Sequence, residues 1–323
     1  MSTTSPILSI KDLRTYFRTP DGTAKAVDGL SYTLDRGETL AVVGESGCGK
    51  SVAALSILRL IPSPPGEIVS GEILFSGKNL LQLPMSKMRQ IRGNHISLIF
   101  QEPTTSLNPV FSIGFQLSRV FRIHQHISAK EARRRSLEML AACEIPSPDR
   151  ILDAHPHQLS GGMRQRAMIA MALGCGPEIL IADEPTTALD VTIQAQILDL
   201  MQRLQNRFGM AMILITHDLG IVAKIAQRVV VMYAGLKVEE ACVRDLFEHP
   251  CHPYTIALMK SLPVLGRTEK FLSEIKGVVP PPYRHIPGCR FAERCSEAIT
   301  ACHSKSPEMK EIQKGHWVAC IRR

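Results

Sequence analysis

The stretch Gly44-Glu45-Ser46-Gly47-Cys48-Gly49-Lys50-Ser51 constrains this chain more than any other. Its glycines let successive backbone amides turn inward on a phosphate, and a helix starting directly behind them adds its positive N-terminal end. The run before it, 39–43, is short and apolar, as in a buried strand, and 52–60 continues with helical spacing. Strand, loop and helix in that order fit G-x-x-x-x-G-K-[ST], in which Lys50 contacts the outer phosphates of a nucleotide and the Ser51 hydroxyl ligates magnesium. A plain glycine turn is the bland alternative, and the strand before and helix after weigh against it.

Three further runs, 96–100, 179–182 and 212–216, are unbroken by charge, as expected of parallel strands covered on both faces. The core is therefore α/β. Ahead of it, 7–17 and 24–34 read as strands around a Thr19-Pro20-Asp21-Gly22 turn, an N-terminal antiparallel β subdomain. A helical stretch follows residue 101, where Ser128 and Glu131 form a capping box before 132–142, and predicts an inserted helical subdomain over about 102–175. Two strands flanking Ala234-Gly235 predict a hairpin. Beyond residue 247 prolines multiply, and four of the nine cysteines fall in the last 35 residues. The expected division is a main domain over 1–250 and a small cysteine module over 251–323.

Composition excludes more than it assigns. With 323 residues, 45% of them hydrophobic, the chain can bury a full core, and its longest apolar runs fall far short of the roughly 20 residues that span a bilayer. The first eleven residues lack the pattern of a secretory signal, so a cytosolic chain is expected, with its cysteines as reduced thiols or metal ligands. The net charge of +8 is modest, the basic run Arg133 to Arg135 reads as a solvated helix face, and aromatics are only 5%. No nucleic-acid partner is expected.

Two more segments carry chemistry. Ile179-Leu-Ile-Ala-Asp183-Glu184 sets two carboxylates at the C-terminal end of a buried strand, where open α/β sheets place their ligands. Asp183 suits holding magnesium, and Glu184 suits a general base orienting water; as an isolated pair they would equally serve as a helix cap. Leu159-Ser160-Gly161-Gly162-Met163 opens a helix, with Ser160 as N-cap and the two glycines leaving amides free for an anion. One nucleotide needs one phosphate loop, so a second phosphate-binding helix end points to a neighbouring subunit.

By these motifs and their order the chain resembles the ABC ATPases, with 44–51 and 179–184 as Walker A and B and 159–163 as the signature. The resemblance implies a P-loop NTPase core that binds ATP with Mg2+. It implies that Gln101 senses magnesium and the membrane partner, that Asp190, in Ala188-Leu189-Asp190, belongs to the D-loop, and that His217 contacts the γ-phosphate. Phe17, or Tyr16 as the alternative, is similar to the aromatic that stacks on adenine. The likeness extends to the ATPase subunits of peptide and nickel importers through 101–109, 231–235 and 252–255, and within them to the dipeptide/oligopeptide "D" type. It implies a second, related ATPase or a second copy, two transmembrane permeases, an indirectly acting substrate-binding protein, and a peripheral place on the cytoplasmic face of the inner membrane. The transported cargo (dipeptide, oligopeptide, glutathione, opine or nickel) is not legible.

Cys289, Cys295, Cys302 and Cys320 are spaced C-x5-C-x6-C-x17-C. Four thiolates suit zinc or an iron-sulfur cluster, and the spacing does not choose between them. Unconnected buried thiols are the bland alternative. The resemblance implies a [4Fe-4S] cluster. Cys143, Cys175, Cys242 and Cys251 read as small apolar fillers, and Cys48 sits in the phosphate loop with no side-chain role. One rival is a soluble ABC ATPase acting on DNA or ribosomes with a zinc module; it predicts a coiled-coil insertion or a second cassette, and neither is in the sequence. The other is a nucleotide-dependent scaffold without turnover, against which Glu184, Gln101 and His217 stand together.

Overall fold

The computed structural model describes residues 5–100, 106–187, 189–261 and 275–323. The strands are, in chain order, β1 (Leu8–Thr19), β2 (Gly22–Leu34), β3 (Thr39–Val43), β4 (Gly66–Phe75), β5 (Lys78–Asn79), β6 (Ile96–Ile99), β7 (Ile179–Asp183), β8 (Ala211–Ile215), β9 (Arg228–Tyr233), β10 (Leu236–Cys242), β11 (Lys310–Gln313) and β12 (His316–Val318). The chain forms two compact units. One comprises Met1–Leu34, Thr39–Leu81 and Thr216–Arg323; the other comprises Asp35–Glu38 and Gln82–Ile215.

In the first unit, β1 pairs antiparallel with β2 and β4, giving the order β2-β1-β4-β5. The turn at Thr19 to Gly22 is where the proline and glycine demand it. β4 is an unexpected strand: its alternation is hidden by two glycines, a serine and two glutamates, and pairing with β1 decides its conformation. A second set runs β11-β12-β10-β9-β3, with β3 parallel to β9 and the remaining pairs antiparallel. All five residues of β3 are buried, which its unbroken apolar run requires. The expected hairpin is β9 and β10.

The tail is bound into this unit. Tyr233 of β9, Tyr254 and Phe291 form a triangle with ring centroids 4.7, 5.2 and 5.4 Å apart. They share a core with Val43, Val231 and Leu246, and Cys289 and Cys295 pack against it. Glu239 of β10 is fully buried. Its carboxylate accepts from the backbone N–H groups of Cys251 (2.8 Å) and His252 (2.9 Å) and contacts His316 Nε2 at 2.7 Å. One side chain thus ties β10, the start of the helix Pro253–Lys260, and β12.

In the second unit β8, β7 and β6 are parallel neighbours, with β7 and β8 wholly buried. β6 stops at Ile99, and Phe100 is exposed. The helices Ile113–Gln125, Ala129–Ala142, Pro148–Asp153 and Gly161–Leu173 pack on one another within this unit. Ser128 caps its helix as expected, accepting from Glu131 N–H at 3.2 Å, but the Glu131 carboxylate goes to Arg134 and Arg135, nearby cations that outbid a backbone amide. The basic run is a paired surface: Arg133 meets Asp153, and Arg134 meets Glu131 and Glu138.

Replacing Glu239 by alanine strands two buried hydrogen-bonding partners, at His252 and His316, each costing about 1–3 kcal/mol, and a half-buried one at Cys251. Glu239→Ala should lower the melting temperature and free the segment after Cys302 for limited proteolysis. Cleavage of the tail at the wild-type rate would show that Glu239 does not hold it.

Candidate functional site

The first unit carries the phosphate loop. β3 delivers Gly44, and Gly49 precedes the helix Lys50–Ile57. Gly44 has φ +151° and Gly49 φ +103°, backbone that a side chain tolerates poorly. Space forbids one as well: a Cβ on Gly44 would lie 2.2 Å from Met232 O, and one on Gly49 2.2 Å from Ala26 O. Ser46 and Gly47 are exposed, whereas Cys48 and Lys50 are buried. Lys50 Nζ donates to the carbonyls of Gly44 (2.7 Å) and Glu45 (3.0 Å), so its ammonium lies over the loop's own backbone. Cys48 is a buried filler whose thiol burial pushes up from its ordinary range. Ser51, directly after Lys50, is half-buried at the start of the helix.

The loop is held from outside by residues the motif does not reveal. Glu45 N–H donates to Tyr254 Oη at 2.8 Å, and the Glu45 carboxylate receives both Nη atoms of Arg294 at 2.7 and 3.0 Å. Gly235 N–H donates to Cys48 O at 2.9 Å. No periodicity or spacing connects residues 249 positions apart, so these partners were beyond sequence reasoning.

Of the two aromatics considered for the base, Phe17 is half-buried in β1, where it faces Ala24 and Gly66 across the sheet. The hydroxyl of Tyr16 donates to Asp28, and Lys25 Nζ lies 5.6 Å from the ring centre. His217, following β8 in the chain, is exposed. Asp218 beside it caps the helix Leu219–Ile225.

The second unit carries the acidic pair and the signature. Asp183 ends β7 and is 8% exposed. Glu184 follows in the left-handed region, φ +46°, with its N–H on Ile215 O at 2.9 Å and Oε2 accepting from Thr187 Oγ1 at 2.9 Å. Ser160 is the N-cap of Gly161–Leu173 and accepts from Met163 N–H at 3.3 Å. From that helix the buried Gln165 donates to Pro185 O, tying the signature to the segment after Glu184. Asp190 caps Val191–Phe208, accepting from Ile193 N–H at 2.9 Å. Gln101 and Ala188 lie outside the described residues.

In the tail, Cys289, Cys295, Cys302 and Cys320 all line one cavity of about 20 Å³ together with Phe291 and His252. Cys289 N–H donates to Cys302 O at 2.8 Å. Burial pushes the Cys289 thiol up, and the sulfurs of Cys302, Cys295 and Cys320 push it the same way. Among the described residues, Glu239, Cys251 and His316 are the one group of three such ligand atoms within 4.8 Å of one another; no three of the tail thiols come that close.

Comparison with known proteins identifies the family. Residues 27–187 match the family model described as ABC transporter, and 238–302 match that of the oligopeptide/dipeptide transporter C-terminal region. A probable peptide ABC transporter ATP-binding protein of Sinorhizobium fredii is 54% identical over 98% of this chain and 95% of its own length. The oligopeptide transport ATP-binding protein AppD of Bacillus subtilis is 48% identical over 98% of this chain and 97% of its own. Among solved structures, a dimeric bacterial ABC transporter cassette superposes with a TM-score of 0.66 at 27% identity, covering 73% of this chain and 99% of that one. The same cassette in a post-hydrolysis state with ADP and Pi scores 0.66 at 26% identity, over the same shares of the two chains. The fold, the phosphate loop and these likenesses together place the chain among the ABC transporter ATP-binding proteins, in the branch that carries the oligopeptide/dipeptide C-terminal region.

Proposed function

We propose that this chain is the MgATP-hydrolysing motor of a peptide importer, with its ATPase domain over 1–250, helical insertion included, and the cysteine module over 251–323. The observation that carries the reading is the loop 44–51: glycines that sterics require, a helix N-terminus behind them, and a lysine ammonium held over the backbone. The relatives' names supply the cargo class, peptides. In this reading the amides of 44–51 and Lys50 grip the phosphates, and Ser51, Asp183 and Gln101 hold Mg2+. Glu184 takes a proton from the attacking water and His217 answers the γ-phosphate. The exposed signature cap Ser160, with Gly161, Gly162 and Asp190, faces a nucleotide bound by a second ATPase subunit.

The membrane partner has a physical foothold. No helix among the described residues is long and apolar enough to cross a membrane. Yet Val110 is 73% exposed, and Phe111 and Phe115, stacked at 4.6 Å, are exposed as well. Phe115 continues into a groove of about 780 Å³ that also includes Ile123, Ile127, Arg119 and Arg122. An exposed apolar patch rimmed by cations suits docking of a permease's cytoplasmic segment, which would keep this subunit on the cytoplasmic face of the membrane.

Four thiols facing one cavity fit a metal group in donor set. Zinc with bonds of about 2.3 Å draws its sulfurs to about 3.8 Å apart. The likeness to the importer ATPases points to the larger [4Fe-4S] cluster, which would serve as a structural staple for a segment with little core of its own.

Three outcomes follow. Gly49→Ala, with no room for its methyl, should abolish binding of a fluorescent ATP analogue. Glu184→Gln should keep that binding and slow turnover in the assembled transporter by about 100-fold or more; turnover at the wild-type rate would remove Glu184 as the base. Protein purified without oxygen should be brown, carry about four irons per chain, and lose its visible absorption in Cys295→Ser. One zinc and no iron would overturn the cluster and leave the staple, and no metal at all would overturn both.

A further inference from the structure

Two arginines, each directly beside a tail cysteine, reach out of the cysteine module, one to the phosphate loop and one to residues that contact it. Arg290, next to Cys289, donates to Ala234 O and to Asp28. The neighbouring Gly235 gives its N–H to Cys48 O inside the loop and accepts from Asp28 N–H at 2.9 Å. Arg294, next to Cys295, goes to the loop directly. Its Nη1 donates to Glu45 (2.7 Å) and Tyr233 Oη (3.2 Å), its Nη2 to Glu45 (3.0 Å) and Ile275 O (3.2 Å), and its Nε to Lys276 O (3.0 Å). All five N–H donors of the guanidinium are used, and its side chain is 5% exposed.

The electrostatics make this contact more than a brace. Glu45 is the one carboxylate in 44–51, a loop whose amides and lysine are arranged to attract anions. A carboxylate carried by the loop that binds a triphosphate repels it unless a cation neutralises it. Lys50 is taken by the carbonyls of Gly44 and Glu45, and the cation facing the Glu45 carboxylate is Arg294. The bidentate fork both cancels the charge and fixes where the carboxylate points, which a lysine's single ammonium does less well.

We propose that Arg294 is a positioning residue of the nucleotide site: by pairing with Glu45 it neutralises the loop's own carboxylate, so that nucleotide affinity depends on the folded cysteine module. The proposal rests on 44–51 being the ATP site. Its signature is the sign of the coupling between the two residues. Arg294→Gln leaves an uncancelled carboxylate and weakens MgATP binding; adding Glu45→Gln to it removes that carboxylate and restores affinity. A contact that is only structural gives a double variant at least as poor as the worse single one.

The test measures the affinity of the purified full chain for a fluorescent ATP analogue with Mg2+, and KM and kcat in the assembled transporter. Arg294→Gln should weaken binding about tenfold or more and raise KM with kcat within about twofold of wild type. Arg294→Lys should fall between wild type and Arg294→Gln, and Arg294→Gln with Glu45→Gln should regain most of the lost affinity. If Arg294→Gln does not fold, Arg294→Lys alone and combined with Glu45→Gln decide the matter, since a raised KM in Arg294→Lys that Glu45→Gln reverses is not expected of a brace. A double variant as poor as Arg294→Gln, or an Arg294→Gln variant that binds like wild type, overturns the proposal. A wild-type chain that binds no nucleotide overturns the ATP reading, and this one with it.

Discussion

Two backbone carbonyls, Ala26 O and Met232 O, stand where the side chains of residues 49 and 44 would be. The phosphate loop is therefore shaped less by its own preferences than by β2 and β9, which supply those carbonyls. Its glycines are the residues that let the backbone pass so close and still adopt positive φ. Once that approach is imposed, Cys48 is driven into the interior, Lys50 is left over the carbonyls of 44 and 45, and the turn at Ala234-Gly235 reaches Cys48 O. Phosphate affinity thus depends on the antiparallel sheet and the β9–β10 hairpin as much as on the eight residues of the motif.

The same unit solves a second problem, the burial of carboxylates. Glu239 and Glu240 are buried and Asp28 and Glu45 half-buried, and each is met by donors from the hairpin or the tail. Buried ion pairs contribute little net stability, because desolvation offsets most of the attraction, but breaking one is costly. What such pairs supply is a unique arrangement. Arg290 and Arg294 each select one carboxylate and one set of carbonyls, so the tail has one seat on the hairpin. The thiols beside those arginines then face a single cavity as a consequence of that seating. A metal on the thiols would order the very segment whose arginines hold the loop.

Much of this was legible in the sequence where local rules govern. Continuous apolar runs marked β3, β7 and β8 because parallel strands buried on both faces tolerate no charge. The loop glycines were legible because the phosphate chemistry needs them. β4 was not, since its glycines and glutamates obscure the alternation and its conformation comes from β1, fifty residues earlier. The capping pattern at Ser128 gave the helix start correctly and the partner of Glu131 wrongly, because cations one turn away on the same helix compete for it. The pairing of Glu45 with Arg294 left no trace, being a product of the completed fold. Gln101 lies outside the described residues, so its expected role stays with the family likeness.

The backbone at Glu184 bears on the chemistry in a different way. A residue other than glycine with φ near +46° costs on the order of 1–3 kcal/mol, and glutamate has none of the local side-chain hydrogen bonding that lets asparagine or aspartate tolerate the region. Glycine at 184 would relieve the cost at once. The strain is instead held in place by the bond from Glu184 N–H to Ile215 O and by the turn through Thr187, whose hydroxyl donates to the carboxylate. Among the described residues seven other non-glycine positions, Arg59 and Glu144 among them, also take positive φ, so strain by itself assigns no role. What the backbone does for Glu184 is fix its place: the carboxylate stays just past the end of the buried β7, beside Thr187, where the proposed base has to stand.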